Sequence, residues 1–343
     1  MKTLTLIFIC ILLMSAICSE AQTIEDRIQN LESHARKVDS AFGWTNPIVI
    51  DTSDLIAPVY EGIVMKNINA DQFIFNPAFT ETGIWNLYCL KDGRVYLATS
   101  LNGLNTFTYT LTNADAGSIL PLNGKYFDSY HRWWNGLAYS YYSISLDKIL
   151  FTDVATSRIG AGEDRNVIYT GSEFFSYGRL QPRPRTIMFQ RSSDFRTWTA
   201  PVEILRPDAV DGSLLQFYHM SVISTAQGYF GLLNVYRIGN GGEDVQQLPP
   251  YATNEHTSDI QLVWSQNGID GWQRLNDRKN FITRKPGVQQ LFGWWSVIGD
   301  FAYIYTCESE RKHTDWENLY NKVGKYYYSC RYKIKLTDLY LYH

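Results

Sequence analysis

The chain has 343 residues and a formal net charge of −3, with 45% apolar and 15% aromatic residues. With acidic and basic groups nearly balanced, no basic surface argues for nucleic acid. No cysteine or histidine stands at zinc-ligand spacing, so a zinc-centred fold is excluded as well.

The elements follow in chain order. Lys2 and the apolar run from Leu4 to Ile17 read as an export leader, too short to span a bilayer, with cleavage after Ala21. A lipid anchor through Cys18 is the alternative. No later stretch is long and apolar enough to cross a membrane, so the expected location is secreted or periplasmic. Residues 22–45 hold a helix and linker. Thr23 can cap it, and Ile24, Ile28, Leu31, Ala35 and Val38 form one apolar stripe. Residues 46–343 then change to short strands and turns. Of the three cysteines beyond the leader, Cys307 and Cys330 each end a β-like run, and an oxidising compartment would allow one bridge between them.

Three turns share one pattern. Ser100-Leu101-Asn102-Gly103 leads to Phe107, Ser192-Ser193-Asp194-Phe195 to Trp198, and Ser265-Gln266-Asn267-Gly268 to Trp272. Asn and Asp accept backbone N–H bonds and tolerate left-handed backbone, which Gly enters freely. Such corners between successive strands predict an all-β, five-bladed β-propeller. The expected blades run from Phe73 to Thr110, Tyr126 to Arg158, Asn166 to Ile204, Phe217 to Arg274 and Phe281 to Tyr340, with a polar insertion between Ile238 and Ser258.

The words RSSDFRTWTAPVEILRPD, QFYHMSVI, GYFGLLNVYR, DIQLVWSQNGIDGWQR, GDFAYIYT and YKIKLTDLY are similar to those of proteins related to glycoside hydrolase families 32 and 43. The resemblance covers about half the chain, chiefly its C-terminal part. It implies a five-bladed propeller with a site at the funnel on its axis, where innermost strands bring together a proton donor, a second carboxylate and a third that orients the donor. The corners also resemble the Asp-box of sialidases, but no arginine triad for a sialic carboxylate is present.

On this resemblance the candidate catalytic carboxylates are Asp128, Asp164 and Asp208, with Glu61 and Glu81 as substitutes. Asn76-Pro77 stands where the family has Asp-Pro, and an amide there cannot take a proton from water. His219 stands where related sequences often have Gly. Asn76, His131, Arg165, His219, Trp134 and Trp294 are candidates for binding substrate, and a flat ring can stack on the apolar face of a sugar. No metal site and no cofactor are expected, apart from a structural calcium at Glu243 and Asp244 as an alternative to an ordinary surface loop. The expected function is a secreted, monomeric, glycoside hydrolase-like protein acting on poly- or oligosaccharide. The alternative is a carbohydrate-binding propeller that has lost part of its carboxylate set, and a structural or protein-binding propeller is the third reading. Fold alone does not choose among these.

Overall fold

The computed structural model describes residues 57–67, 73–74, 78–91, 94–115, 118–134, 137–157, 163–179, 185–211, 214–238, 257–310 and 327–342. The expected leader, the expected helix over 23–38, Asn76 and the insertion with Glu243 and Asp244 lie outside these residues.

The first strand is β1 (Val59–Asn67). β2 (Phe73–Ile74) and β3 (Phe79–Glu81) both pair with β4 (Ile84–Lys91), followed by β5 (Arg94–Ser100) and β6 (Thr108–Leu111). The second sheet holds β7 (Ser118–Leu122), β8 (Lys125–Trp134), β9 (Leu137–Ser145) and β10 (Phe151–Ser157) in that order. The third holds β11 (Glu163–Tyr169), β12 (Phe174–Arg179), β13 (Ile187–Ser192) and β14 (Val202–Leu205). The fourth holds β15 (Leu215–Thr225), β16 (Gly228–Arg237), β17 (Thr257–Ser265) and β18 (Gln273–Arg274), with β19 (Asn280–Ile282) also on β17. The fifth runs β20 (Gln290–Ile298), β21 (Phe301–Ser309) and β22 (Tyr327–Lys335), and β1 returns to pair with β22 as its outermost strand. A short helix, α1 (Leu336–Leu339), follows.

This is a five-bladed propeller. The innermost strands neighbour one another in turn, β7 against β11, β11 against β15, β15 against β20 and β20 against β3. Side chains on three of them tie the ring. Ser118 Oγ accepts the N–H of Val167 at 3.0 Å, Asn166 Oδ1 that of Val222 at 2.8 Å, and Ser221 Oγ that of Trp295 at 3.1 Å. Each seam between blades carries its own apolar cluster, as strands buried on both faces require.

Two blade limits differ from the sequence reading. The innermost strand of the second blade is β7, not the segment from Tyr126 to His131, which belongs to β8. β7 contains Pro121, which lacks an N–H. It is tolerated because β7 is a sheet edge with only β8 as ladder partner. The fifth blade begins at Gln290, because Phe281 lies on β19 in the fourth, and its missing strand comes from β1. Cys307 and Cys330 are free thiols. Their strands pair Cys307 with Ser329 and Thr306 with Cys330, so alternation sends the two thiols to opposite faces of one sheet and no bridge can form.

The Ser-x-Asx corner occurs four times among the described residues, the additional copy being Ser145-Leu146-Asp147. In each copy the serine hydroxyl donates to the Asx oxygen, at 3.1, 2.9, 3.0 and 3.2 Å in chain order. The same oxygen accepts two N–H groups further on, for example from Arg196 at 2.8 Å and Thr197 at 2.7 Å. The next residue is left-handed every time: Gly103 at φ 64°, Lys148 at 71°, Phe195 at 62° and Gly268 at 73°. Glycine is needed where a ring from the second strand of the same blade closes on the backbone. A Cβ at Gly103 would meet the Trp85 ring at 2.5 Å, and one at Gly268 would meet Tyr229 at 2.8 Å. At Phe195 the residue's own ring fills that space, packing on Phe127, Phe174, Tyr142 and Trp198.

Three of these corners are latched from the preceding blade. The hydroxyls of Tyr88, Tyr177 and Tyr305, each on the second strand of its blade, donate to the carbonyls of Lys148, Gly268 and Gly103 at 2.8, 2.9 and 2.9 Å. These bonds run from the first blade to the second, the third to the fourth and the fifth to the first.

The corners also give the fold an acid limit. Backbone N–H bonds from Thr197 and Arg196 favour the charged form of Asp194 and hold its carboxyl down at about 2. The bonds from Leu150 and Ile149 lower Asp147 in the same way. An unfolded aspartate titrates near ~3.9, so the stabilisation is present above that value and is lost as pH falls toward ~2. Asn occupies the equivalent place at 102 and 267. Asp194→Asn is therefore expected to keep the turn, leave the melting temperature at pH 7 nearly unchanged, and make its decline between about pH 4 and 2 shallower than in the wild type. Thermal melts across that range check this, and an unchanged acid profile would refute it.

Candidate functional site

The Ser-x-Asx corners and the hairpins joining first to second strands share one rim of the propeller. The opposite rim receives the chain as it enters each innermost strand. There β11 and β15 both carry a bulge, between Glu163 and Asn166 and between Phe217 and His219. A bulge bends its strand and re-aims side chains, as at the rims of many binding sites.

Around these bulges the structure gathers a polar and aromatic group. His219 is 3% exposed, and its ring centroid lies 5.4 Å from that of Trp294 on β20. Tyr218 packs against Tyr236 at 5.4 Å and Phe292 at 5.7 Å. The Arg179 guanidinium sits 3.6 Å from the Tyr218 ring centroid, a cation–π contact, and that of Arg185 lies at 5.2 Å. Arg185 Nη1 donates to Gln216 Oε1 at 2.8 Å. Both arginines are buried, and both guanidinium groups meet the Tyr218 ring.

Of the residues singled out by sequence, His219 and Trp294 meet here. Asp164 and Arg165 lie on β11, the innermost strand of the third blade, with their side chains outside the described part. Trp134 is the last residue of β8, and its side chain too lies outside that part. His131 sits half-buried on β8 opposite Ser140, on the face away from Asp128.

The other carboxylates stand elsewhere. Asp128 is fully buried on β8, the second strand, and its Oδ2 accepts the Asp115 N–H at 3.3 Å. It shares a face with Tyr126, whose ring belongs to the cluster between the first and second blades. Asp208 lies between β14 and β15, its side chain 51% exposed and bonded to Arg278 at 2.5 Å. The Arg278 hydrogen bond holds its carboxyl at about 2. A group so acidic is ionised at neutral pH and has no proton to deliver. Glu61 is on β1, the outermost strand of the fifth blade, bonded to Arg331 at 2.7 Å. Glu81 ends β3 at the corner rim. Burial pushes its carboxyl up, but the bonds from Lys148 and Tyr126, each at 2.5 Å, together outweigh that and leave it lowered.

Sequence reasoning missed Arg179, Arg185, Gln216 and Tyr218. A usable signal was present: two arginines bracket the link between the second and third strands of one blade, and Gln-Phe-Tyr-His opens the next. Among the described residues no group of three or more His, Cys, Asp or Glu is placed to hold a metal ion. Among them, too, no helix is long and apolar enough to cross a membrane.

No protein-family model matches the sequence, and no curated protein matches it. Solved structures do match the fold. A thermostable family-43 glycoside hydrolase aligns with 76% of this chain and 90% of its own, at TM-score 0.54 and 13% identity. In fold, this is a five-bladed propeller like that of the hydrolase. The catalytic domain of the Coprinopsis cinerea GH62 alpha-L-arabinofuranosidase aligns with 82% of this chain and 98% of its own, at TM-score 0.53 and 10% identity. The Bombyx mori GH32 beta-fructofuranosidase BmSUC1 aligns with 88% of this chain and 66% of its own, at TM-score 0.51 and 11% identity. Identities this low speak to architecture. The innermost strands of the second to fifth blades carry hydroxyl, amide, imidazole and indole groups.

Proposed function

We propose that the rim around His219 and Trp294 engages a poly- or oligosaccharide, outside the cytoplasm, and that recognition rather than bond cleavage is its main task. One observation carries this reading. The equivalent innermost-strand positions of the second to fifth blades, linked by the bonds from one blade to the next, hold Ser118, Asn166, Ser221 and Trp294. None is a carboxylate, whereas hydrolysis of a glycoside takes two. Trp294 and Tyr218 supply ring faces for a sugar, and His219, Gln216, Arg179 and Arg185 supply polar groups around them. This chemistry calls for no cofactor.

Hydrolysis is the second reading, favoured by the fold and by the place of Asp164 on an innermost strand. The two separate in one experiment. The full chain is titrated with a panel of plant and microbial polysaccharides, following tryptophan fluorescence, and the same mixtures are assayed for reducing sugar. Recognition predicts binding without sugar release, weakened about tenfold or more by Trp294→Ala, as expected for loss of a stacked aromatic anchor. Release of reducing sugar that Asp164→Asn abolishes would establish the hydrolase instead. Binding untouched by Trp294→Ala would move the site away from the axis.

A further inference from the structure

A cavity of about 400 Å³ opens off the axis on the second blade, lined among others by Asn113, Asp115, Tyr130, Arg132, Ser143 and Asp153. None of these belongs to an innermost strand. Tyr130 and Arg132 come from β8, Ser143 from β9, Asp153 from β10, and Asn113 and Asp115 from the link that enters the blade. They share the face of the blade that packs on the first blade. The volume lies in the range that takes a small organic ligand.

The wall is assembled in advance. Arg132 lies 5.0 and 4.9 Å from the ring centroids of Tyr130 and Tyr141, which stack on each other at 5.5 Å. Its guanidinium bonds Asp115 at 2.5 Å and approaches Asp153 at 3.8 Å. The Tyr130 hydroxyl donates to Asp153 Oδ1 at 2.6 Å. The Asn113 amide is spent on the Phe151 backbone, accepting its N–H at 2.6 Å and donating to its carbonyl at 3.0 Å, which fixes the link against β10.

An independent observation points to a ligand. Ser143 is 2% exposed, it lines the cavity, and its hydroxyl has no hydrogen-bond partner. Buried hydroxyls are ordinarily satisfied, so one held open in a polar wall marks a place for an incoming group. The ligand's chemistry follows from charge. Two carboxylates line the cavity against one guanidinium, and Asp128 pairs in register with Ser143, which sets its carboxylate beside that hydroxyl on the same face. That excess repels anions. With no metal-holding cluster among the described residues, the partner suited to carboxylate acceptors, a guanidinium donor and an open hydroxyl is a neutral, many-hydroxylated ring.

We propose that this cavity is a second carbohydrate site, binding one neutral sugar unit independently of the axis. The test uses full-length protein carrying Trp294→Ala, which removes the axial ring and isolates the cavity. Saturation-transfer NMR is run with methyl glycosides of xylose, arabinose and galactose, and with putrescine as a cationic probe. At least one glycoside is expected to bind. Adding Ser143→Ala should weaken it by about three- to tenfold, the worth of one hydrogen bond, without lowering the melting temperature, because that hydroxyl bonds nothing in the free protein. Asp153→Asn should weaken it by about tenfold or more, since a charged acceptor is lost. No glycoside bound, binding of putrescine alone, or affinities unchanged in both variants would each overturn the proposal. The axial reading would stand or fall separately on Trp294→Ala in otherwise wild-type protein.

Discussion

Gly103→Val is expected to lower the melting temperature by roughly 10 °C, one of two large stability losses the fold predicts. Gly103 is left-handed at φ 64°, a region where a β-branched residue costs about 1–3 kcal/mol. Its Cβ would also stand 2.5 Å from the Trp85 ring and 2.8 Å from the Tyr305 hydroxyl. Overpacking of that kind adds about 1–3 kcal/mol. The ring cannot easily retreat, because Trp85 is held edge-on by Tyr303 at 4.9 Å and covered by Arg331 at 5.0 Å. Any shift of the backbone instead threatens the Tyr305 bond that latches this corner to the fifth blade. The sum is about 4 kcal/mol, and a domain of this size loses ~2–4 °C per kcal/mol. Gly124 separates the two causes. It has φ 71°, and a Cβ added there would meet nothing within 4 Å, so Gly124→Ala should cost only the backbone strain, about 1 kcal/mol. Differential scanning calorimetry of both variants decides the matter. Equal losses would show that the contact with Trp85 is irrelevant.

Asp211→Ala is expected to cost about 3–5 kcal/mol, read as a fall in the urea midpoint at constant slope. Asp211 and Arg274 are an ion pair with side chains only 3% and 7% exposed. The same carboxylate receives the Asp208 N–H at 2.9 Å and approaches Arg278 at 3.4 Å, so it holds Asp208 and Arg278 together at the link after β14. Removing it strands a buried guanidinium over the Phe217 ring. The cost comes from that stranded charge more than from the attraction lost, so removing both partners should recover much of it. Asp211→Leu with Arg274→Met is the variant that tests this. A double variant as unstable as Asp211→Ala would assign the loss to the shape of the link.

The corners are the most legible part of the fold. Ser, Asx and a following aromatic fix a local hydrogen-bond pattern that is complete within a few residues. Ser145-Leu146-Asp147 followed by Phe151 satisfies the same rule, yet it is hard to spot because Lys148 takes the left-handed place that Gly marks in two of the other three corners. The strand order of the second blade is harder to read. β7 is short, contains Pro121 and lacks clean alternation, so the longer and more aromatic β8 looks like the innermost strand. That reading carries Asp128 toward the axis, whereas it lies in the seam between blades. The site at the rim depends on bulges in β11 and β15, and a bulge changes which face a residue meets without leaving a mark in composition. His219 and Trp294 stand out as unusual residues on strong strands. Arg179 and Arg185 do not, because their place depends on a ring from another blade.

The return of β1 to the edge of β22 gives the ring a seam unlike the others. Every other sheet is built from consecutive chain and can begin to form as soon as its own hairpins exist. This one waits for two segments separated by nearly all of the described sequence, and the entropy of bringing them together is spent last. Until then Val64 and Met65 lack the cluster that buries them, and the hydrogen-bonding edge of β22 is open to any other extended chain. β1 is thus made before the strand that receives it and waits unpaired while the other blades form, so the exposure of its apolar residues is concentrated in that interval.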